Sequence, residues 1–244
     1  MAGPTPRVAD ELKLRLARTP IVGSIVRSLA RMPAIAAVRR HLRFRNSASY
    51  WEERYAAGGT SGAGSYGRLA AFKAEILNDF VATERVGSVV EFGCGDGAQL
   101  ALARYPDYVG VDVAQTSIAL CRKRFADDPR KRFHLAGDLP PRLGPFDLAL
   151  SLDVLYHLVE DTVFDAYMRQ LFDHGRRYVA IYASNTAAAA DSPHVRHRHF
   201  TPWIEAEMPG WRLYRHVPNR FPFDPARPDE TSFADFYFFH RAEA

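Results

Sequence analysis

The sequence predicts an α/β domain built on a doubly wound, mostly parallel sheet, closed at one edge by an antiparallel strand pair. Three observations carry this. From about Arg85, short apolar runs rich in Val, Leu and Phe alternate with stretches of helical periodicity. A glycine triplet follows the first of these runs. After Phe200 the alternation stops, and two strand-like segments follow with a proline-rich loop and no good helix between them. Strands spaced by helices need crossover connections, which are right-handed and give a parallel sheet.

Taken in order, SVVEF (88–92) reads as a buried strand and 97–104 as a helix. YVGVDV (108–113) is the second strand and 116–125 the second helix. A third strand lies near 133–136 in RFHLAGD. FDLALSL (146–152) is the fourth, followed by a helix over 161–172 whose apolar positions are Val163, Phe164, Tyr167, Met168 and Leu171. Their spacing of three and four residues makes one apolar face. RYVAIYAS (177–184) is the fifth strand. WRLYRHV (211–217) and FADFYFFH (233–240) form the late antiparallel pair, giving seven strands in all.

The 244 residues suffice for one generous domain with an appendage, and 47% apolar residues suffice for its core. Two cysteines, Cys94 and Cys121, make no disulfide framework and point to a reducing cytoplasm. No apolar run approaches the length of a membrane span, and the N-terminus lacks the order of a signal peptide. Charge is unevenly placed. Residues 1–45 carry ten Lys or Arg against Asp10 and Glu11, a balance of +8 in a chain of net +4, which leaves −4 for residues 46–244. The pI of 9.1 therefore belongs to a basic N-terminal arm, and nothing argues for a nucleic-acid groove in the main domain. Within the arm, Ile21, Val22, Ile25, Val26, Leu29 and Met32 recur at helical spacing among Arg27 and Arg31. Such a helix either lies on an anionic membrane or a partner, or packs on its own domain.

Two glycine-rich stretches compete as a ligand cradle. GGTSGAGSYGRLAAF (58–72) nearly spells a phosphate-binding loop, with Gly62, Gly67 and Arg68 at its spacing. That loop needs a preceding strand, a Lys and then Ser or Thr; here an alternation-poor charged segment, Arg68 and Leu69 stand instead. VVEFGCGDGAQL (89–100) is the better cradle, since it follows a strand and Gly93, Gly95 and Gly97 let the backbone approach a ligand. Acidic residues sharpen it: Glu91 inside the strand, Asp112 ending the second strand, and Asp138 after the third. A carboxylate at Asp112 can accept both hydroxyls of a ribose, and Asp138 lies within reach of an adenine edge.

On these residues the chain resembles the class I S-adenosylmethionine-dependent methyltransferases, over about 80% of its length from Tyr50 onward. AGD at 136–138, FDLALSLDVLYHL at 146–158 and the late antiparallel strands also match. The resemblance implies strand order 3-2-1-4-5-7-6 and S-adenosyl-L-methionine as cofactor, held by Glu91, Gly93, Gly95, Gly97, Asp112, Asp138, Leu139 and Ser151. It also implies that YWEERYAAGGTSGAGS belongs to a lid segment, 50–72, with Trp51, Arg54 and Tyr66 contacting the bound ligands. A linker to the arm is the alternative.

Methyl transfer from a sulfonium needs an aligned acceptor, and a hydroxyl acceptor also profits from a base. His157, in DVLYHL beyond the fourth strand, is the candidate base, or else a packing residue at the strand end. Asp153, four residues earlier, would orient its imidazole, and Tyr156 would shape the pocket rim. PHVRHRHF (193–200) places His194, His197 and His199 among Arg196 and Arg198. The arginines disfavour a metal there and suit forked contacts with carboxylate or phosphate, so this loop is expected to anchor the acceptor. Nucleic-acid enzymes of the superfamily carry [ND]-P-P-[YF] after the fourth strand, where this chain has Ser151-Leu152-Asp153-Val154. The pattern is similar to bacterial methyltransferases of surface-glycan and specialised-metabolite pathways. That likeness implies O-methylation of a sugar hydroxyl, on a glycan or glycosylated metabolite, in the cytoplasm or at the inner membrane surface. N- or O-methylation of a non-sugar metabolite, or a non-catalytic cofactor-binding subunit, are the alternatives.

Overall fold

Seven strands form one sheet in the order β3-β2-β1-β4-β5-β7-β6 in the computed structural model, which describes residues 46–190 and 192–242. They are β1 (Val89–Phe92), β2 (Tyr108–Asp112), β3 (Lys131–Leu135), β4 (Phe146–Leu152), β5 (Gly175–Ala183), β6 (Trp211–Val217) and β7 (Asp235–Arg241). Strands β1 to β5 pair in parallel, while β7 runs antiparallel to both β5 and β6. The order is the one implied by the family resemblance. The expected N-terminal arm and its helix lie outside the described residues.

Among the described residues five α-helices accompany the sheet: α1 (Ser47–Ala56), α2 (Gly67–Thr83), α3 (Gln115–Arg124), α4 (Asp161–His174) and α5 (Phe200–Glu207). Every residue of β1, β2 and β4 is buried, which is why these segments read as continuous apolar runs. The two-residue period of a strand splits the core into two layers. Val89, Leu148 and Leu150 face Phe72, Leu77 and Phe80 of α2. Val90 and Ala149 face Phe164, Met168 and Leu171 of α4, with Phe200 and Ile204 of α5 in the same layer. No helix among the described residues is long and apolar enough to cross a membrane.

The helix expected at 97–104 is absent; only a three-residue 3-10 turn, Leu100–Leu102, forms there. Left-handed backbone at Gly93, Gly95 and Gly97 (φ +85°, +57° and +73°) prevents the regular geometry a helix start needs. Asp96 then ties the chain locally, its Oδ1 accepting from the Ala98 amide at 3.0 Å. At the far end Ala103 is already extended, and the Arg104 amide donates to Asn78 of α2 instead of to a helical carbonyl. Helices α1, α2 and α5 were not anticipated. The strand order reverses between β1 and β4, so the loops leaving their carboxyl ends diverge and open a crevice.

Candidate active site

A cavity of about 600 Å3 occupies that crevice, with Glu91, Phe92, Gly93, Gly95, Gln99 and Asp112 in its wall. Its size suits a ligand of nucleoside dimensions. The loop after β1 is drawn across to β2, Gly93 and Cys94 both donating their amides to the Val111 carbonyl (2.7 and 3.1 Å). Asp112 braces it: Oδ2 accepts from the Gly95 amide and Oδ1 from the Ala114 amide, each at 2.9 Å. Burial raises the Asp112 carboxyl, and these backbone bonds oppose the rise. The Ser117 hydroxyl and the Val113 amide also support the carboxylate, which lines the cavity. Glu91 is buried one turn of pleat below, its Oε2 accepting from the Tyr108 hydroxyl at 2.7 Å. Burial pushes its pKa up to about 7, against the pull of Tyr108 and of the Lys73 charge.

Gln99 donates Nε2 to the Ala70 carbonyl at 3.1 Å, while its Oε1 is buried without a partner, alone in this among the described side chains. A buried acceptor left open in a cavity wall points to a ligand donor. Together with two carboxylates and a backbone cradle stripped of side chains, it fits the cofactor that the family resemblance implies. Other expected cofactor residues stand back from the cavity. A Cβ on Gly97 would meet Phe125 and Cys121, so that glycine packs the loop on α3. Ser151 is fully buried behind Tyr167, whose hydroxyl bridges Ser151 Oγ (2.8 Å) and the Phe92 carbonyl (2.9 Å). Asp138 is exposed and Leu139 half-buried; of that segment Ala136 lines the cavity.

The segment before α2 folds over the cradle. Asp96 gathers it, Oδ2 accepting from the Ser61 amide (3.0 Å) and the Tyr66 hydroxyl (2.6 Å). In return the Asp96 amide donates to Ser61 Oγ at 2.9 Å. Burial would raise the Asp96 pKa, but these bonds hold it below the usual carboxylate range. Tyr55 reaches the same Ser61 hydroxyl at 3.0 Å. A Cβ on Gly95 would lie 2.4 Å from Ser61 Oγ, so only glycine allows the two loops to touch. Arg54 does not reach the cavity; its Nε donates to the Thr60 carbonyl at 2.6 Å and clasps the glycine-rich loop to α1. Tyr66 likewise fastens the loop rather than lining the cavity, whereas Trp51 is in the wall. Helix α1 is strapped at both sides, Glu52 to Thr116 at the start of α3 and Ser47 to Glu160 ahead of α4.

Beyond β4, His157 and Asp153 both line the cavity, but not as a pair. His157 Nδ1 lies 3.0 Å from the His194 carbonyl, so the ring carries its hydrogen there and Nε2 is the unprotonated nitrogen. Burial pushes the His157 pKa down to about 4, opposed by that hydrogen bond. The Trp51 ring stands edge-on to it at 4.9 Å and the His194 ring stacks at 5.7 Å. The expected orienting role of Asp153 is corrected: its Oδ2 takes the Lys73 ammonium at 2.5 Å and its Oδ1 the Tyr156 hydroxyl at 2.8 Å. The turn at Leu155–His157 is 3-10, and Asp153 stands outside it in left-handed backbone, which aims its carboxylate away from the imidazole. Tyr156 therefore braces Asp153 from behind and is not among the cavity-lining residues.

The arginine loop is corrected too. Arg196 and Arg198 both pair with Asp161 (2.9 and 2.6 Å) and donate to the carbonyls of Leu158 and Val159. They are held by the start of α4 and do not line the cavity. The three histidines separate: His194 stacks on Tyr50, and His197 Nδ1 meets Ser184 Oγ at 2.6 Å. No group of three His, Cys, Asp or Glu able to hold a metal occurs among the described residues. Sequence reasoning missed Lys73, Ser61, Asp96 and Gln99. Lys73 alone left a signal, a lysine at an otherwise apolar helix position between Phe72 and Leu77.

Residues 89–177 match the family described as Methyltransferase domain. The fold is similar to that of the N-methyltransferase NodS from Bradyrhizobium japonicum WM9 in complex with S-adenosyl-l-homocysteine. The TM-score is 0.64 and the identity 17%, over 82% of this chain and 100% of that one. Magnesium protoporphyrin IX methyltransferase (ChlM) from Synechocystis PCC 6803, with bound SAM, gives 0.53 and 15%, over 90% and 96%. The methyltransferase domain of bacterial CtHen1-C gives 0.55 and 17%, over 70% and 97%. No curated protein matches the sequence. Fold, cradle and family match together define a class I S-adenosylmethionine-dependent methyltransferase. The chain is an S-adenosylmethionine-dependent methyltransferase, and its cofactor is S-adenosyl-L-methionine.

Proposed function

We propose that this methyltransferase O-methylates a sugar hydroxyl, on a glycan or a glycosylated metabolite, with His157 as the base. The observation that carries the reading is the state of His157: in the cavity wall, neutral, with Nδ1 occupied by the His194 carbonyl. A neutral amine acceptor needs no such group, whereas a hydroxyl does. A pKa near 4 makes a weak base, but methylation turns a hydroxyl into a strongly acidic oxonium, so a weak base is enough to take its proton. The cofactor supplies a methyl carbon activated on sulfonium sulfur, open to direct displacement. Asp112 offers its carboxylate to the ribose hydroxyls, Glu91 and Gln99 line the same chamber, and the Ser61–Tyr66 loop excludes water over it. The sugar class rests on the likeness of 58–75, 194–200 and 229–236 to enzymes of surface-glycan pathways.

The test is methyl transfer to a panel of glycosides and of primary and secondary amines, with wild type and His157→Ala. Glycoside turnover that falls about 100-fold or more in kcat on substitution supports the reading. The acidic limb of the wild-type kcat/KM profile should fall near pH 4, and any inflection near pH 7 should vanish in Glu91→Gln. Turnover of amines only, indifferent to the substitution, favours the N-methylation that the name of NodS describes for that protein.

A further inference from the structure

The pair formed by Lys73 and Asp153 has no part in cofactor binding or in proton removal, yet both residues line the cavity. Lys73 stands on α2 and is 1% exposed; the Asp153 side chain keeps 16% of its surface. The Lys73 ammonium also lies 5.2 Å from the centre of the Tyr182 ring. Asp153 holds φ at +59°, in the left-handed region that few non-glycine residues enter. Its amide is pinned to the Tyr182 carbonyl at 2.9 Å, so the strained geometry is built in. Buried ion pairs contribute little net stability, and strained residues cluster where ligands are held. Here both features fall on one carboxylate in a cavity wall.

We propose that Asp153, held by Lys73, is the subsite that grips two neighbouring hydroxyls of the acceptor, one on each carboxylate oxygen. This rests on the sugar reading given above. Oδ2 has accepted one donor, from Lys73, and Oδ1 one, from Tyr156, which leaves a lone pair on each oxygen for two further donors side by side. The ammonium cancels the carboxylate charge, so the subsite is a neutral acceptor of hydrogen bonds. An ammonium group gains no net charge attraction there, and a phosphate dianion brings no donor for the two oxygens. Neighbouring hydroxyls supply two donors without charge. Asp153 and His157 line the same cavity, so a sugar gripped by the one lies in the chamber of the other. A Cβ on Gly64 would lie 2.7 Å from Asp153 Oδ2, so only glycine lets the covering loop pass the carboxylate.

The experiment measures KM and kcat for methyl transfer by the full chain to methyl α-D-mannopyranoside, methyl α-L-rhamnopyranoside and methyl β-D-galactopyranoside. Every glycoside that is methylated is then compared with its monodeoxy analogues. Loss of one hydroxyl of the gripped pair is expected to raise KM about tenfold or more, with kcat changed far less. Because this arm uses the wild-type protein, it does not depend on any variant folding. Lys73→Met should raise KM for the parent glycoside and abolish the penalty for the deoxy analogue, and Lys73→Arg should restore part of both. S-adenosylhomocysteine affinity, measured on each variant, should stay within about threefold of wild type. Deoxy analogues turned over with unchanged KM overturn the subsite and leave the sugar reading standing. Glycosides that accept no methyl group, while S-adenosylhomocysteine still binds, overturn the sugar reading and this proposal with it.

Discussion

Glu91 and His157 face one cavity, and burial moves their protons in opposite senses. Glu91 is raised from 4.5 to about 7, so the folded chain keeps a proton that the unfolded chain has released between those values. Its contribution to stability is complete below about pH 4.5 and is lost as pH rises toward 7. Glu91→Gln, neutral and of the same shape, should therefore be more stable than wild type at pH 8, by up to roughly 3 kcal/mol, and indistinguishable near pH 4. Thermal melts at the two pH values check this. His157, lowered from 6.5 to about 4, has the opposite slope: its contribution is complete above pH 6.5 and is lost as pH falls toward 4. At this scale the sequence was legible where a residue type sits in a fixed place beside a strand end, as with Glu91, Asp112 and His157. It was not legible where a role depends on a partner far along the chain. Asp153 is four residues from His157 but bonds to Lys73, eighty positions away. Arg196 and Arg198 looked free for an anionic ligand only because Asp161 and the carbonyls before it could not be placed beside them.

The elements that decide access are α1 and the loop from Gly58 to Tyr66. The loop's hold on the cradle is polar and centres on Asp96, which accepts from Ser61 and from the half-exposed Tyr66, while α1 is held separately by Ser47 and Glu52. Such a fastening opens at modest cost, since a hydrogen bond to a charged group contributes about 1.5–3 kcal/mol and less where water competes. Tyr66→Phe should weaken S-adenosylhomocysteine binding about three- to tenfold and speed amide exchange across residues 58–66. Unchanged exchange would show that the loop is held by something other than Asp96. Strands β1, β2 and β4 were readable because each is an apolar run with both faces covered. The helix after β1 was misread because alternate glycines look like a helix opening while imposing left-handed turns. Helix α2 is masked in the sequence although Leu69, Phe72, Leu77 and Phe80 mark its buried face, because it opens on Gly67 directly after a glycine cluster that has the composition of a loop.

Charge organises the molecule as a whole. The described domain and the basic segment before it carry opposite net charge, and a lipid-linked glycan acceptor would place both beside an anionic surface. If residues 1–45 serve that contact, the full chain should sediment with anionic vesicles at low salt and the chain lacking them should not. Equal sedimentation of the two removes the arm from the account, while activity on soluble acceptors should survive the truncation. The fold class and strand order were legible at this scale, because alternating strands and helices allow few topologies and the late antiparallel pair narrows them further. The acceptor was not, because the cavity wall is assembled from α1, α2, α4 and the loops after β1, β2 and β4.

The central claim is that the cavity at the β1 and β2 ends holds S-adenosylmethionine through Asp112. Calorimetric titration with S-adenosylhomocysteine, run beside NAD on wild type and on Asp112→Ala, tests it most directly. The account predicts micromolar binding of S-adenosylhomocysteine, none of NAD, and a loss of about tenfold or more in the variant. Binding of NAD alone, or S-adenosylhomocysteine affinity unchanged by Asp112→Ala, would contradict it.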